Sequence, residues 1–91
     1  MVPIQHFASG VLAEIIRHQP ASNEKTAFAW QLAVGPALAR VTTAELADGV
    51  LTIRGQDARW IREIRRATDT ILARMQHLLG RDAVTRLSFA E

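Results

Sequence analysis

Residues 48–80, DGVLTIRGQDARWIREIRRATDTILARMQHLLG, decide the fold because they predict a tight turn, a strand and a long helix in succession. Asp48 and Gly49 both tolerate the positive φ of a type I′ turn, so they predict a two-residue hairpin. If Ala47 pairs with Val50, apolar side chains gather on one face of the ribbon and polar side chains on the other. We therefore expect the hairpin to lay its apolar face on a core.

The second half of this stretch predicts one amphipathic helix. Gly55 ends the strand, Asp57 is a candidate N-cap, and Gly80 ends the helix. Between these points, apolar residues recur at helical spacing and fall within one broad sector, as in a helix that lies on a sheet. These residues are Trp60, Ile61, Ile64, Thr68, Ile71, Leu72, Met75, Leu78 and Leu79.

The same helical projection gathers arginines on the side away from the core. Arg59, Arg62 and Arg66 fall together on this side. Arg65 lies at the boundary with the apolar sector, and Arg54 is close if the helix directly follows its strand. A guanidinium is always charged and its fork of donors matches phosphate. The candidate nucleic-acid-binding residues are therefore Arg54, Arg59, Arg62, Arg65 and Arg66. The alternative is a solvated face of ion pairs, because Glu63 lies at helical spacing from Arg59 and Arg66.

Length and composition limit the class of protein. We expect 91 residues to form one small domain, residues 1–91, with a core of about 10–89. The absence of cysteine excludes a disulfide framework and a thiolate metal site. No run reaches the roughly 20 apolar residues of a membrane span, and the start, MVPIQHFASG, lacks the layout of a signal peptide. We expect a cytoplasmic protein with no membrane partner.

The charge of the chain is modest but unevenly distributed. The formal net charge is +2 and the sequence pI is about 10.4, and net charge alone does not indicate nucleic-acid binding. Residues 54–66 hold five arginines against Asp57 and Glu63, a local charge of +3. This distribution predicts a basic patch whose binding to a polyanion is weak and salt-sensitive.

The remaining elements follow from apolar spacing and helix breakers. A first helix is predicted from Ile4, Phe7 and the apolar residues that follow up to Ile16. The helix proper is expected to begin near Gly10 and to end by Pro20. A turn with capping residues over 20–23 precedes a second helix, which runs to about Val34 with Phe28, Leu32 and Trp30 as its bulk.

Gly35-Pro36 ends the second helix, and residues 37–40 are expected to add one more turn. The strands are predicted over 41–46, over 50–54 and, after Gly80, over 83–89. The predicted order is helix-helix-strand-strand-helix-strand. This order indicates an α+β fold with a three-stranded sheet and helices on one face.

The chain offers little that resembles catalytic chemistry. His6, His18 and His77 are scattered over separate elements, and there is no Walker pattern or dinucleotide-binding glycine fingerprint. The serines have no nucleophile elbow, and the carboxylates are not convincingly paired. We therefore expect no enzyme activity, no cofactor, no metal and no small-molecule substrate.

Two tryptophans remain as candidates for function. An aromatic ring next to arginine can stack a base of single-stranded nucleic acid, and Trp60 is flanked by such residues. Its helical position at the edge of the apolar sector favours packing over stacking, and packing is favoured somewhat more for Trp30. A third reading makes either ring the anchor of a protein interface.

Four groups of residues, taken in order and spacing, carry a family resemblance. The first is Trp30 with Val34-Gly35 and Leu38-Ala39, and the second is the run DGVLTI at 48–53. The third is WIREI at 60–64, and the fourth is Leu79-Gly80 with Val84 and LSF at 87–89. Over about residues 10–89 the chain resembles the DciA family of bacterial replicative helicase loaders.

The resemblance implies a KH-like fold, binding of single-stranded DNA and contact with the hexameric DnaB-type replicative helicase, without ATPase activity. The chain departs from a KH domain proper because Gly35-Pro36-Ala37-Leu38 lacks the second glycine of a GxxG loop. It departs from the family at Val41, where a histidine often precedes Thr42.

Three hypotheses result from the residues and the resemblance together. The first is a DNA replication accessory that binds single-stranded DNA and the replicative helicase and assists helicase loading. The second is a protein-interaction module whose arginine-rich face docks an acidic protein surface. The third, an RNA-binding KH relative, is weakened by the missing GxxG loop.

Overall fold

The computed structural model describes residues 10–90, so the predicted helical positions Ile4 and Phe7 lie outside the described residues. Residues 10–90 form five helices and three strands. They are α1 (Gly10–His18), α2 (Asn23–Val34), α3 (Pro36–Val41), β1 (Thr42–Ala47), β2 (Val50–Gly55), α4 (Ala58–Arg66), α5 (Thr68–Leu79) and β3 (Arg86–Ala90).

The sheet has three strands in the order β1-β2-β3, with β1 antiparallel and β3 parallel to β2. The α+β class and the order helix-helix-strand-strand-helix-strand are confirmed, with α3 as the predicted additional turn. The hairpin register is also as predicted, because Ala47 pairs with Val50. Asp48 and Gly49 have φ values of 51° and 81°, so both adopt the left-handed region that the turn requires.

The hairpin turn also anchors β3. The Gly49 carbonyl accepts hydrogen bonds from Thr85 N at 2.7 Å, Arg86 N at 3.3 Å and Thr85 Oγ1 at 3.0 Å. The third strand begins at Arg86, later than the predicted Ala83. The amides of Ala83 and Val84 bond to the Gly80 carbonyl instead, so these residues form the turn that follows α5.

The prediction of one long helix up to Gly80 is wrong, because the helix is interrupted at Ala67. This residue has ψ of 21°, and its amide bonds to the Ile64 carbonyl at 3.0 Å, an i−3 bond in place of i−4. Thr68 Oγ1 bonds to the Arg65 carbonyl at 2.8 Å, and the helical pattern resumes with Ile71 N to Ala67 O. The interruption lets α4 pack on β2 while α5 packs against α1, α2 and β3.

The core lies between the sheet and the helices. Six large side chains are fully buried: Leu51, Ile53, Ile64, Met75, Leu78 and Val84. On α2, small Ala29 and Ala33 are buried where this helix meets α5. Phe28, predicted as bulk of α2, is instead 47% exposed, because Trp30 occupies the buried side of that helix.

Capping side chains set the starts of α2 and α4, and Gly35-Pro36 separates α2 from α3, as predicted. Ser22 caps α2 by accepting from Lys25 N at 3.0 Å, and Asp57 caps α4 by accepting from Arg59 N at 2.8 Å. Gly35, with φ of 90°, ends α2, and Pro36 opens α3. Within residues 10–90, no helix has the length and apolarity to cross a bilayer.

Candidate nucleic-acid interface

Helix α4 presents one buried and one charged face. Ile61 and Ile64 are buried, so the opposite side of the helix faces solvent. Arg59, Arg62 and Arg66 lie on that side at i, i+3 and i+7 spacing, all exposed. Together with Leu38 of α3, and with Trp60 and Glu63, these three arginines line an open groove of about 510 Å³. We call this the α3–α4 groove.

The structure brings only three of the five candidate arginines into this groove. Arg65 is exposed on α4, but its guanidinium carbon lies over the Phe89 ring of β3, 5.0 Å from the centroid. Arg54 stands at the end of β2, with Nε 3.7 Å from Glu45 Oε1. It lines a separate, smaller groove with Arg40, a basic residue that was not among the candidates.

Carboxylates already accompany two of the groove arginines. Arg59 Nη2 lies 3.1 Å from Asp57 Oδ2, and Arg66 Nη1 lies 3.3 Å from Glu63 Oε1. Both guanidinium groups are more than two thirds exposed, and exposed pairs of this kind contribute little to stability. Arg62 forms no ion pair or hydrogen bond with another side chain of residues 10–90. The arginines of the groove can therefore bind an incoming anion, which would replace a carboxylate at Arg59 and Arg66.

The Asp57 carboxylate both starts α4 and positions Arg59. The Arg59 backbone amide donates to it, which lowers the pKa of Asp57 below its ordinary value. The Arg59 guanidinium lowers this pKa further, by donating from Nε at 3.3 Å and from Nη2 at 3.1 Å, and the charge of Arg62 acts in the same direction. Asp57 is thus ionised at neutral pH and holds Arg59 at the end of the groove.

The two tryptophans differ in their surroundings. Trp30 is 2% exposed, and its Nε1 donates to Thr42 Oγ1 at 2.9 Å, so the prediction that Trp30 packs is confirmed. Thr42 Oγ1 in turn donates to the Leu38 carbonyl at 2.6 Å and links α3 to β1. Trp60 is only half-buried and lines the α3–α4 groove, with the Arg59 guanidinium carbon 5.8 Å from its ring centroid.

Leu38 is a groove residue that the sequence reasoning missed. Its side chain is brought beside α4 by the fold of α3, and no local pattern around residues 36–41 indicates that contact. A second feature that was missed is an apolar groove of about 470 Å³ between α1 and α2. Ile15 of α1 and Phe28 of α2 line this groove and are 52% and 47% exposed. Each lies at helical spacing from other apolar residues of its own helix, which is typical of buried positions.

The described histidines do not form a metal site with other side chains. His18 is exposed at the end of α1, and its Nδ1 lies 3.9 Å from Glu14 Oε1. Across residues 10–90, no three side chains of His, Cys, Asp or Glu come together in a way that could hold a metal ion.

The fold and the groove together define a small α+β domain with an exposed basic helix face, a class suited to binding a polyanion. The model of one family, described as Dna[CI] antecedent, DciA, matches residues 3–89 of the 91. The chain therefore belongs to the DciA family, which is associated with the replicative helicase DnaB and with helicase loading in DNA replication. A search of curated proteins found no match to the chain.

Proposed function

We propose that this protein is an accessory of DNA replication that binds single-stranded DNA and the DnaB-type replicative helicase and assists helicase loading in the cytoplasm. The observation that carries the DNA-binding part is the alignment of Arg59, Arg62 and Arg66 on one exposed face of α4. Family membership supports the part that concerns the helicase. In this proposal the chain contributes binding and positioning and no catalytic step.

The chemistry of the groove suits the backbone of a nucleic acid. Guanidinium groups pair with phosphate oxygens, and such contacts position a strand without reading its sequence. Arg62 is available directly, whereas Arg59 and Arg66 exchange Asp57 and Glu63 for phosphate. A protein that also holds the helicase would raise the effective concentration of the strand near it.

The first experiment measures fluorescence anisotropy of labelled single-stranded DNA, at salt concentrations from about 20 to 200 mM. The triple variant Arg59→Glu, Arg62→Glu and Arg66→Glu should lose binding without unfolding, because all three side chains are exposed. Circular dichroism checks the fold. Unchanged binding of the triple variant at low salt would overturn the assignment of this face.

A matched pair of single variants separates the groove from general charge. Arg62→Glu and Arg65→Glu change the net charge equally and lie on the same helix, but only Arg62 lines the α3–α4 groove. We expect Arg62→Glu to weaken DNA binding clearly more than Arg65→Glu does. Equal losses would show that only the overall charge matters.

The helicase part is tested by adding purified replicative helicase to the same DNA titration. Tighter binding of this protein to DNA when the helicase is present than when it is absent would support loading. The absence of a ternary complex, with DNA binding intact, would remove the helicase from the proposal and leave a DNA-binding domain.

One observation favours a second candidate, a module that docks an acidic protein surface. Two of the groove arginines already hold carboxylates, Asp57 and Glu63, so the groove accommodates that group. Salt weakens both kinds of binding, and therefore does not separate them. Competition separates them. If DNA and a protein partner both use the groove, unlabelled oligonucleotide displaces the protein partner. If only the protein partner uses the groove, labelled DNA does not bind.

A further inference from the structure

Trp60 lies at the boundary between the core and solvent. Its neighbours Ile61 and Ile64 turn into the core, whereas the indole is half-buried at the edge of the α3–α4 groove. Unlike Trp30, which donates to Thr42, the Trp60 indole makes no hydrogen bond to a residue within 10–90. A large flat apolar surface is thus left partly open beside three cations.

The groove combines two kinds of surface that a single strand requires. Arg59, Arg62 and Arg66 supply positive charge along α4, while Trp60 and Leu38 supply an apolar wall. An unpaired nucleotide has the same two parts, an anionic phosphate and a flat apolar base. The groove volume of about 510 Å³ falls within the range of about 300–1,000 Å³ that is typical of small-molecule sites.

The position of Arg59 allows a base to reach the indole. Its guanidinium carbon lies 5.8 Å from the ring centroid, near the outer limit of about 6 Å for a cation–π contact. A base between the two groups needs about 3.5 Å on each side, so they must separate by only about 1 Å more. The Arg59 side chain is 71% exposed, so it can make that movement when it exchanges Asp57 for phosphate.

We propose that the Trp60 indole, with Leu38 beside it, stacks one unpaired nucleobase while the groove arginines hold the adjoining phosphates. This proposal rests on the proposed function and names what distinguishes single strands from duplexes at the site. A duplex offers the same phosphates, but its bases are stacked internally and do not reach the indole. Because every base has a flat π face, the contact confers no sequence preference.

The first test uses the intrinsic fluorescence of the two tryptophans during titration with unlabelled oligothymidine. Trp30 is buried and supplies a constant background, whereas stacking of a base on Trp60 quenches its emission. We expect quenching in the natural protein and none in Trp60→Phe, where only Trp30 remains. Binding of oligothymidine without any quenching would overturn the stacking.

The second test compares Trp60→Phe with Trp60→Leu by anisotropy. Both replacements keep an apolar side chain on α4, but only phenylalanine retains a ring. We expect Trp60→Phe to bind single-stranded DNA nearly as tightly as the natural protein and Trp60→Leu to bind about tenfold more weakly. Trp60→Leu should bind duplex DNA with unchanged affinity, so the preference for single strands falls.

The outcomes separate this proposal from the one on which it rests. If the triple glutamate variant loses DNA and Trp60→Leu does not, the arginine face stands and the stacking is overturned. If the natural protein binds no DNA at the lowest salt, both are overturned. Equal losses by Trp60→Phe and Trp60→Leu would show that Trp60 acts only by filling space.

Discussion

At the scale of single residues, Thr42 joins three parts of the fold. Its Oγ1 accepts from Trp30 Nε1 and donates to the Leu38 carbonyl, so one hydroxyl links α2, α3 and β1. Thr42→Val keeps the shape of the side chain but leaves the buried indole N–H without an acceptor. We expect a loss of about 1–3 kcal/mol in the free energy of unfolding, measured by urea denaturation.

Thr43→Val is the matched control for this prediction. Thr43 is the next residue of β1 and is exposed on the opposite face of the sheet. The same substitution there should change the free energy of unfolding by no more than about 0.5 kcal/mol. Equal effects at the two positions would refute a special role for the Thr42 hydroxyl.

Asp57 gives a second prediction at this scale, on pH dependence. Its pKa is below the ordinary 3.8 in the folded protein, chiefly through the Arg59 backbone amide, so the folded state favours the ionised carboxylate. The stabilisation is complete above the unfolded-state pKa and is lost as pH falls below 3.8 through the lowered folded-state pKa. Asp57→Asn keeps a capping side chain without the charge. Its stability should therefore converge on that of the natural protein in acid, as followed by thermal unfolding at several pH values.

At the scale of elements, Gly49 holds the hairpin turn against the start of β3. Its φ of 81° strains any other residue, and an added Cβ would lie 2.9 Å from Thr85 Oγ1. Gly49→Ala should reduce the free energy of unfolding by about 1 kcal/mol or more, measured by chemical denaturation. Gly10→Ala is the control, because a Cβ at Gly10 meets no atom within 4 Å; it should be neutral or slightly stabilising.

The break between α4 and α5 is the other feature that belongs to this scale. Residues 58–79 contain no proline or glycine, so the sequence has no helix-breaking residue at the interruption. The two halves meet different partners, β2 for α4 and α1, α2 and β3 for α5. The interruption at Ala67 therefore coincides with a change of packing partners along the predicted helix.

At the scale of the whole molecule, the number of groove arginines sets the expected salt dependence. The logarithm of the binding constant for a single strand falls with the logarithm of salt concentration, with a slope of about −0.7 for each phosphate neutralised. Arg59, Arg62 and Arg66 therefore predict a slope of about −2 for the natural protein. Replacing Arg62 alone with alanine should make the slope less steep by about 0.7.

Anisotropy titrations at four or more salt concentrations measure these slopes. Arg65→Ala is the control, since Arg65 faces Phe89 and lies outside the groove. A slope steeper than about −3 would show that a further arginine contacts phosphate. That residue would be Arg54 or Arg65, from the wider basic surface that the sequence predicted, or Arg40, which was not among the candidates.

The sequence by itself determined the features that depend on neighbours a few residues away. The register of the hairpin follows from the Asp48-Gly49 turn and from alternating side chains. The starts of α2 and α4 follow from Ser22 and Asp57, and the charged face of α4 follows from helical spacing. Each is set by local backbone conformation, hydrogen bonding or periodicity, which a linear chain displays directly.

Only the tertiary structure decided which of these features meet. It interrupts the helix at Ala67, exposes Phe28 while burying Trp30, and places Leu38 beside α4. It also separates Arg54 and Arg65 from the three arginines of the groove. These outcomes depend on contacts between elements distant in the chain, and spacing within one element does not specify which neighbour covers which face.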